Sequence, residues 1–255
     1  MQMKYKIVGK TETSATKKTM RKTTLLMFAA AAVTVHAQNI ISWEYDNGNL
    51  IPQNGSSFAG VVLAPYWNNS REAGVANLLA NDGSLSGVTL GFADQYGAWG
   101  IGGVGGPDAD GTYNKSIFDG YGNTASTDTL SLSGISSSLY NVIVYFSSDA
   151  DGRTGTISDG ATTYSFSTIM RNQVDNNPNV TFIQTTDTGS GNPGANYAVF
   201  SGLSGSSQTF TLAASGGMGI AGMEIVAAPE PGTMTLAALG GVSLLFWRRS
   251  MKARI

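Results

Sequence analysis

Nine short stretches of this 255-residue sequence read as β-strands, the first two of them by alternation of apolar and polar residues. They fall at 40–46 (IISWEYD), 86–94 (SGVTLGFAD), 129–135 (TLSLSGI), 140–146 (YNVIVYF), 162–169, 180–186, 197–203, 208–213 and 220–226. Val, Ile, Thr, Tyr and Phe dominate these stretches, and Gly, Asn, Asp and Ser fill the gaps between them. Branched and aromatic side chains fit a half-buried pleated surface, and a period of two places them on alternate faces. Turn residues at this spacing predict an all-β fold, an antiparallel β-sandwich of jelly-roll-like form. The four residues between 129–135 and 140–146 make that pair a hairpin or a corner between sheets. One stretch departs from the pattern: 71–80 (REAGVANLLA) has the composition of a helix. The Gly-rich run 99–106 (WGIGGVGG) reads as a loop or bulge, because no strand-to-helix context makes it a phosphate cradle.

The two ends of the chain have a different character. Basic residues Arg21 and Lys22 precede the apolar run 25–33 (LLMFAAAAV), and Val35-His36-Ala37 supplies small residues at the cleavage-site spacing. This is the pattern of an export signal at 1–37, a signal helix cut by signal peptidase between Ala37 and Gln38. Met20 stands directly before the basic group and reads as the translation start. At the other end Pro229-Glu230-Pro231-Gly232 leads into a 15-residue apolar run, 233–247, which closes on Trp247-Arg248-Arg249. As a helix that run reaches about 22 Å, short of a hydrocarbon core of about 30 Å. An interfacial Trp followed at once by two Arg predicts a short transmembrane helix with its basic end in the cytoplasm. The expected organisation is therefore a signal peptide at 1–37, a β-sandwich at 38–228 and a tail at 229–255.

The Pro-Glu-Pro tripeptide, the short apolar helix and the Arg-rich end together resemble the PEP-CTERM sorting signal. The resemblance implies a tail that tethers an exported protein to the inner membrane of a Gram-negative-type bacterium. An exosortase-type enzyme then processes it, and the domain is delivered to the cell surface or to an exopolysaccharide matrix or biofilm. Pro229, Glu230, Pro231, Trp247, Arg248 and Arg249 carry the motif. The segments 197–202 (YAVFSG) and 219–226 (GIAGMEIV) also resemble the closing strands of galactose-binding-like sandwiches.

Charge and composition narrow the chemistry of the middle region. Residues 38–228 hold four Lys/Arg (Arg71, Lys115, Arg153, Arg171) against fifteen Asp/Glu, a balance of −11. Such a domain is a poor partner for nucleic acid, whose phosphates are bound by cations. The chain has no Cys, and its single His, His36, lies in the segment expected to be removed. Thiolate chemistry, Ser-His-Asp triads and His-based metal sites are thereby excluded from the mature domain.

Three candidate chemistries remain. Trp67, beside Asn68 and Asn69, and Trp99, in the Gly-rich run, with Tyr96 and Tyr121, are candidate platforms for sugar rings. Asp149 and Asp151 in an Asp-x-Asp-Gly turn are candidate Ca²⁺ ligands, and Asp108 and Asp110 form a second such turn. A carboxylate pair for a polysaccharide hydrolase or lyase is the third reading. Glu224 does not favour it, since its flanking Met223 and Ile225 predict an outward-facing strand residue. The expectation is a non-catalytic surface or matrix protein, with a carbohydrate-binding module, with or without Ca²⁺ assistance, as the alternative.

Overall fold

A computed structural model describes residues 39–228, apart from 94–95, 103–104, 125 and 215. In chain order its elements are β1 (Ile40–Glu44), β2 (Asn68–Asn69), β3 (Gly74–Val75), β4 (Thr89–Ala93), β5 (Ala98–Gly100), helix α1 (Asn114–Ile117) and β6 (Gly120–Gly122). Next come β7 (Thr127–Ser133), β8 (Tyr140–Ser148), β9 (Thr154–Ser158), β10 (Thr163–Thr168) and helix α2 (Met170–Asn176). The chain then runs through β11 (Gly194–Ala195), β12 (Tyr197–Leu203), β13 (Ser207–Ala214) and β14 (Met218–Ala227). The expected signal helix and C-terminal helix lie outside the described residues. Among the described residues no helix is long and apolar enough to cross a membrane.

Two sheets face each other. One has the order β12-β8-β14-β1-β2 and the other β11-β10-β9-β13-β7-β4-β3, while β5 and β6 form a separate pair. Most neighbours are antiparallel, the exceptions being β1 with β2 and β10 with β11. Trp43, Val144, Phe146 and Met223 from the first sheet meet Leu90, Phe92, Phe166 and Phe210 from the second. Phe146 stacks on Phe166 with centroids 3.7 Å apart, and Trp43 lies 5.4 Å from Phe92. β7 and β8 lie in different sheets, so residues 134–139 turn a corner and do not close a hairpin.

The sheets differ on their outer faces. β7 and β13 of the seven-stranded sheet alternate buried and accessible residues, as expected where one face meets water. β1 is buried throughout and β14 at every residue but its last. The outer face of the five-stranded sheet is covered by a second core, in which Ile51, Ala59, Trp67, Phe118 and Met170 pack on Ile143, Tyr145 and Ala221. The segment between β1 and β2, together with α1 and α2, thus forms a cap over that sheet.

Two sequence expectations are corrected here. The helix expected at 71–80 does not form. Gly74–Val75 pairs with Leu90 and Gly91 of β4 as an edge strand, and Asn77 takes φ 55°, a left-handed conformation that ends any helix. The stretch 180–186 contributes only a single bridge, Gln184 to Tyr197. Its backbone is held by the Asn196 side chain, which accepts the Ile183 N–H, and by the Tyr197 carbonyl, which accepts the Thr185 N–H.

Candidate functional site

β8 and β14 pair from Tyr140 opposite Ala227 to Ser148 opposite Met218, which gives the sandwich two poles. At the Ser148 pole the chain turns through Asp149-Ala150-Asp151-Gly152 into β9. Gly152 has φ 78°, which suits it to this reversal. Thr168 at the end of β10 pins the turn. Its hydroxyl donates to the Ala150 carbonyl (2.7 Å), and its carbonyl accepts the Gly152 N–H (2.8 Å). The Ser148 hydroxyl donates to the Gly217 carbonyl just before β14.

This rigid turn presents a polar relay. Arg153 pairs with Asp149 at 2.8 Å and donates from its other terminal nitrogen to the Gly217 carbonyl. The second Asp149 oxygen accepts the Trp99 indole N–H at 3.3 Å. Tyr121, opposite Trp99 across β5 and β6, accepts the Asp149 N–H at 3.1 Å. Trp99 remains 52% exposed and Tyr96, three residues earlier, 62%. An open indole face beside a carboxylate and a guanidinium can stack on a sugar ring and hydrogen-bond its hydroxyls. A groove of about 350 Å³ adjoins the same segment, lined by Tyr45, Arg71, Glu72, Phe92, Gly97 and Ala98.

The other two expected aromatic platforms are corrected by burial. Trp67 is 0% exposed, and its indole N–H is shared between the Ala59 and Ala64 carbonyls (3.2 and 3.1 Å). The neighbouring asparagines, which suggest a surface loop, are structural. Asn68 bridges Ser42 and Leu79, and Asn69 holds the Ile51 carbonyl. Tyr121 is also fully buried, with only its hydroxyl engaged at the turn. Burial drives its phenol far above the usual range.

Glu224 is corrected as well. Alternation correctly sets it on the face opposite Met223 and Ile225, but that face lies under the cap and not in water. Its carboxyl accepts the Tyr145 hydroxyl at 2.5 Å and the Val62 N–H at 3.4 Å, while Val61 donates to the same hydroxyl at 2.7 Å. Burial pushes Glu224 up to about 8 despite these lowering hydrogen bonds. Glu44, on the adjacent strand, is raised well above the carboxylate range, chiefly by burial and only partly offset by the Ile51 N–H. Both side chains are fully enclosed, which leaves a polysaccharide chain no path to them. Sequence reasoning missed this cluster, and a Glu in the middle of an apolar closing strand was the available signal.

The Asp turns are occupied by protein partners. Asp149 serves Arg153 and Trp99, whereas Asp151 accepts the Asn172 N–H in the first turn of α2. Asp110 caps its own turn through the Thr112 N–H and hydroxyl, and Asp108 is buried, with its carboxyl raised by desolvation. Among the described residues no three His, Asp or Glu side chains gather where a metal ion would sit. The residues singled out at the termini, Ala37, Gln38, Pro229, Glu230, Pro231, Trp247, Arg248 and Arg249, lie outside the described residues.

Comparison with known proteins adds a finding at the tail. Residues 227–250 match the family model of the PEP-CTERM protein-sorting motif. No curated protein and no solved structure matches the chain. The motif marks a protein exported and held at the membrane by its C-terminus, then sorted by an exosortase to the cell surface. It begins on the last residue of β14, so the sorting element follows the closing strand without an intervening domain.

Proposed function

We propose that this chain is a non-catalytic surface or matrix protein. Its 38–228 domain is freed of a signal peptide at Ala37–Gln38 and delivered through the tail into an exopolysaccharide-rich envelope or biofilm of a Gram-negative-type bacterium. The observation that carries this reading is the sorting motif at 227–250 joined directly to the closing strand. Deleting residues 229–255 in the host and fractionating cells and medium tests it. The account expects loss of surface delivery, with the domain released or retained before sorting; an unchanged location would contradict it. Converting Arg248 and Arg249 to Glu is expected to disturb tail orientation, because flanking positive charge sets it.

The exposed Trp99 favours a second reading, in which the domain binds carbohydrate as well. The ring would stack on a pyranose face while Asp149 and Arg153 hydrogen-bond its hydroxyls, in the manner of a galactose-binding-like jelly roll. Ca²⁺ assistance through Asp149 and Asp151 is the finer form of this reading, and it requires Arg153 to release Asp149. Polysaccharide pull-down with calcium and with chelator separates the forms. Trp99→Ala should abolish binding in either, and chelation in only the second.

A further inference from the structure

The two poles of the sandwich differ in how many charged side chains they carry, and both ends of the described chain leave from one of them. Ala228 donates its N–H to the Leu139 carbonyl (2.9 Å), and Ala227 donates to Asn39 (3.0 Å). Ile40 sits opposite Val226 and Tyr140 opposite Ala227. The ten residues of β14 separate this pole from the Asp149 turn by about 30 Å. Four residues, Pro229 to Gly232, join Ala228 to the apolar run at 233, a reach of about 14 Å when fully extended. A tail seated in a bilayer therefore holds the Ala228 pole close to the lipid and the Trp99 pole away from it.

The composition of the near pole fits that position. Three segments lie at this pole: 81–87, whose Asn81 N–H bonds the Ile40 carbonyl; 134–139, whose Leu139 carbonyl accepts the Ala228 N–H; and 203–206, whose Gly205 carbonyl accepts the Tyr140 hydroxyl. In a domain with fifteen acidic residues, these segments contain one, Asp82, and no basic residue, and the β9–β10 turn on the same side of the sandwich adds Asp159. The rest is Ser, Gly, Asn, Ile and Leu, with Leu85 69% and Leu139 38% exposed. Carboxylates are repelled by anionic headgroups, so an acidic domain approaches such a surface best by its least charged side. Hydroxyls and two apolar side chains suit the headgroup zone.

We propose that this pole, with Leu85 and Leu139 as its contact points, docks on the phospholipid surface of the membrane that holds the tail, before the tail is processed. The inference rests on the reading of 229–255 as membrane-inserted. Docking fixes the domain with its Trp99 relay pointing outward while still tethered.

The chain has no native Cys, so one dye can be placed at Leu85→Cys, Leu139→Cys or Trp99→Cys in the full chain. Each variant is reconstituted in phosphatidylethanolamine–phosphatidylglycerol vesicles containing a lipid with a nitroxide on its headgroup, and flotation is checked first. The proposal expects flotation, loss of most emission at positions 85 and 139, and unchanged emission at 99. Flotation with no quenching at 85 and 139, or with quenching at 99, would overturn the docking proposal and leave the tail reading intact. A full chain that does not float would instead defeat the tail reading, and this inference with it.

Discussion

The cap over the five-stranded sheet and the open Ser148 pole are built from the same kinds of residue, yet they have opposite exposure. The cap holds Trp67, Tyr145, Glu44 and Glu224 with essentially no solvent contact, whereas the pole holds Trp99, Asp149 and Arg153 partly in water. In the cap these side chains lock one part of the chain to another: Trp67 joins Ala59 to Ala64, and Tyr145 joins Glu224 to Val61. At the pole one face of the indole is left over after its N–H is satisfied. Burial, and not residue type, decides which aromatic is structural and which is available to a ligand.

Four substitutions sharpen the contrast. Trp67→Ala empties a fully enclosed site and is expected to cost about 3–5 kcal/mol, read as a lowered denaturant midpoint. Tyr145→Phe strands the Glu224 carboxyl and the Val61 N–H inside the cap, with an expected cost of about 1–3 kcal/mol. Glu224 makes a pH prediction. The folded carboxyl keeps its proton up to about pH 8, while the unfolded one loses it near its ordinary value of 4.5. The unfolded state therefore binds fewer protons across that window, and stability falls as pH rises from about 4.5 to about 8. Glu224→Gln should flatten that decline, seen as a Tm that changes less with pH than the parent's; Glu44, shifted in the same direction, leaves a residual slope. Trp99→Ala is expected to change stability by no more than about 0.5 kcal/mol, as surface positions do, while removing any carbohydrate binding. A large stability loss there would erase the distinction between the two regions.

Much of the scaffold was legible in the sequence. The predicted strand 197–203 coincides with β12, and 40–46, 140–146 and 220–226 fall on the three central strands of one sheet. Period-two patterning reports which face a residue takes, but not whether that face meets water. Glu224 accordingly takes the expected side of its strand, but that side is enclosed. β9 gives little signal in the sequence, because Thr-Gly-Thr-Ile-Ser is short and contains a Gly, which lowers strand propensity. Residues 71–80 have the local propensity of a helix, yet pairing of Gly74 and Val75 with β4 overrides it. Among the proposed platforms, Trp67 and Trp99 carry equally polar or flexible neighbours in sequence. Only the long-range placement of residues 51–67 over the sheet, fixed by contacts such as Glu44 to Ile51, separates them.

Oxidative footprinting of the folded protein, read residue by residue by mass spectrometry with and without the host's extracellular polysaccharide, tests the central contrast most directly. The account predicts rapid modification of Trp99 and Tyr96, protection of Trp67 and Trp43, and slowing at Trp99 alone when polysaccharide is added. Modification of Trp67 at the rate of Trp99 in folded protein would contradict it.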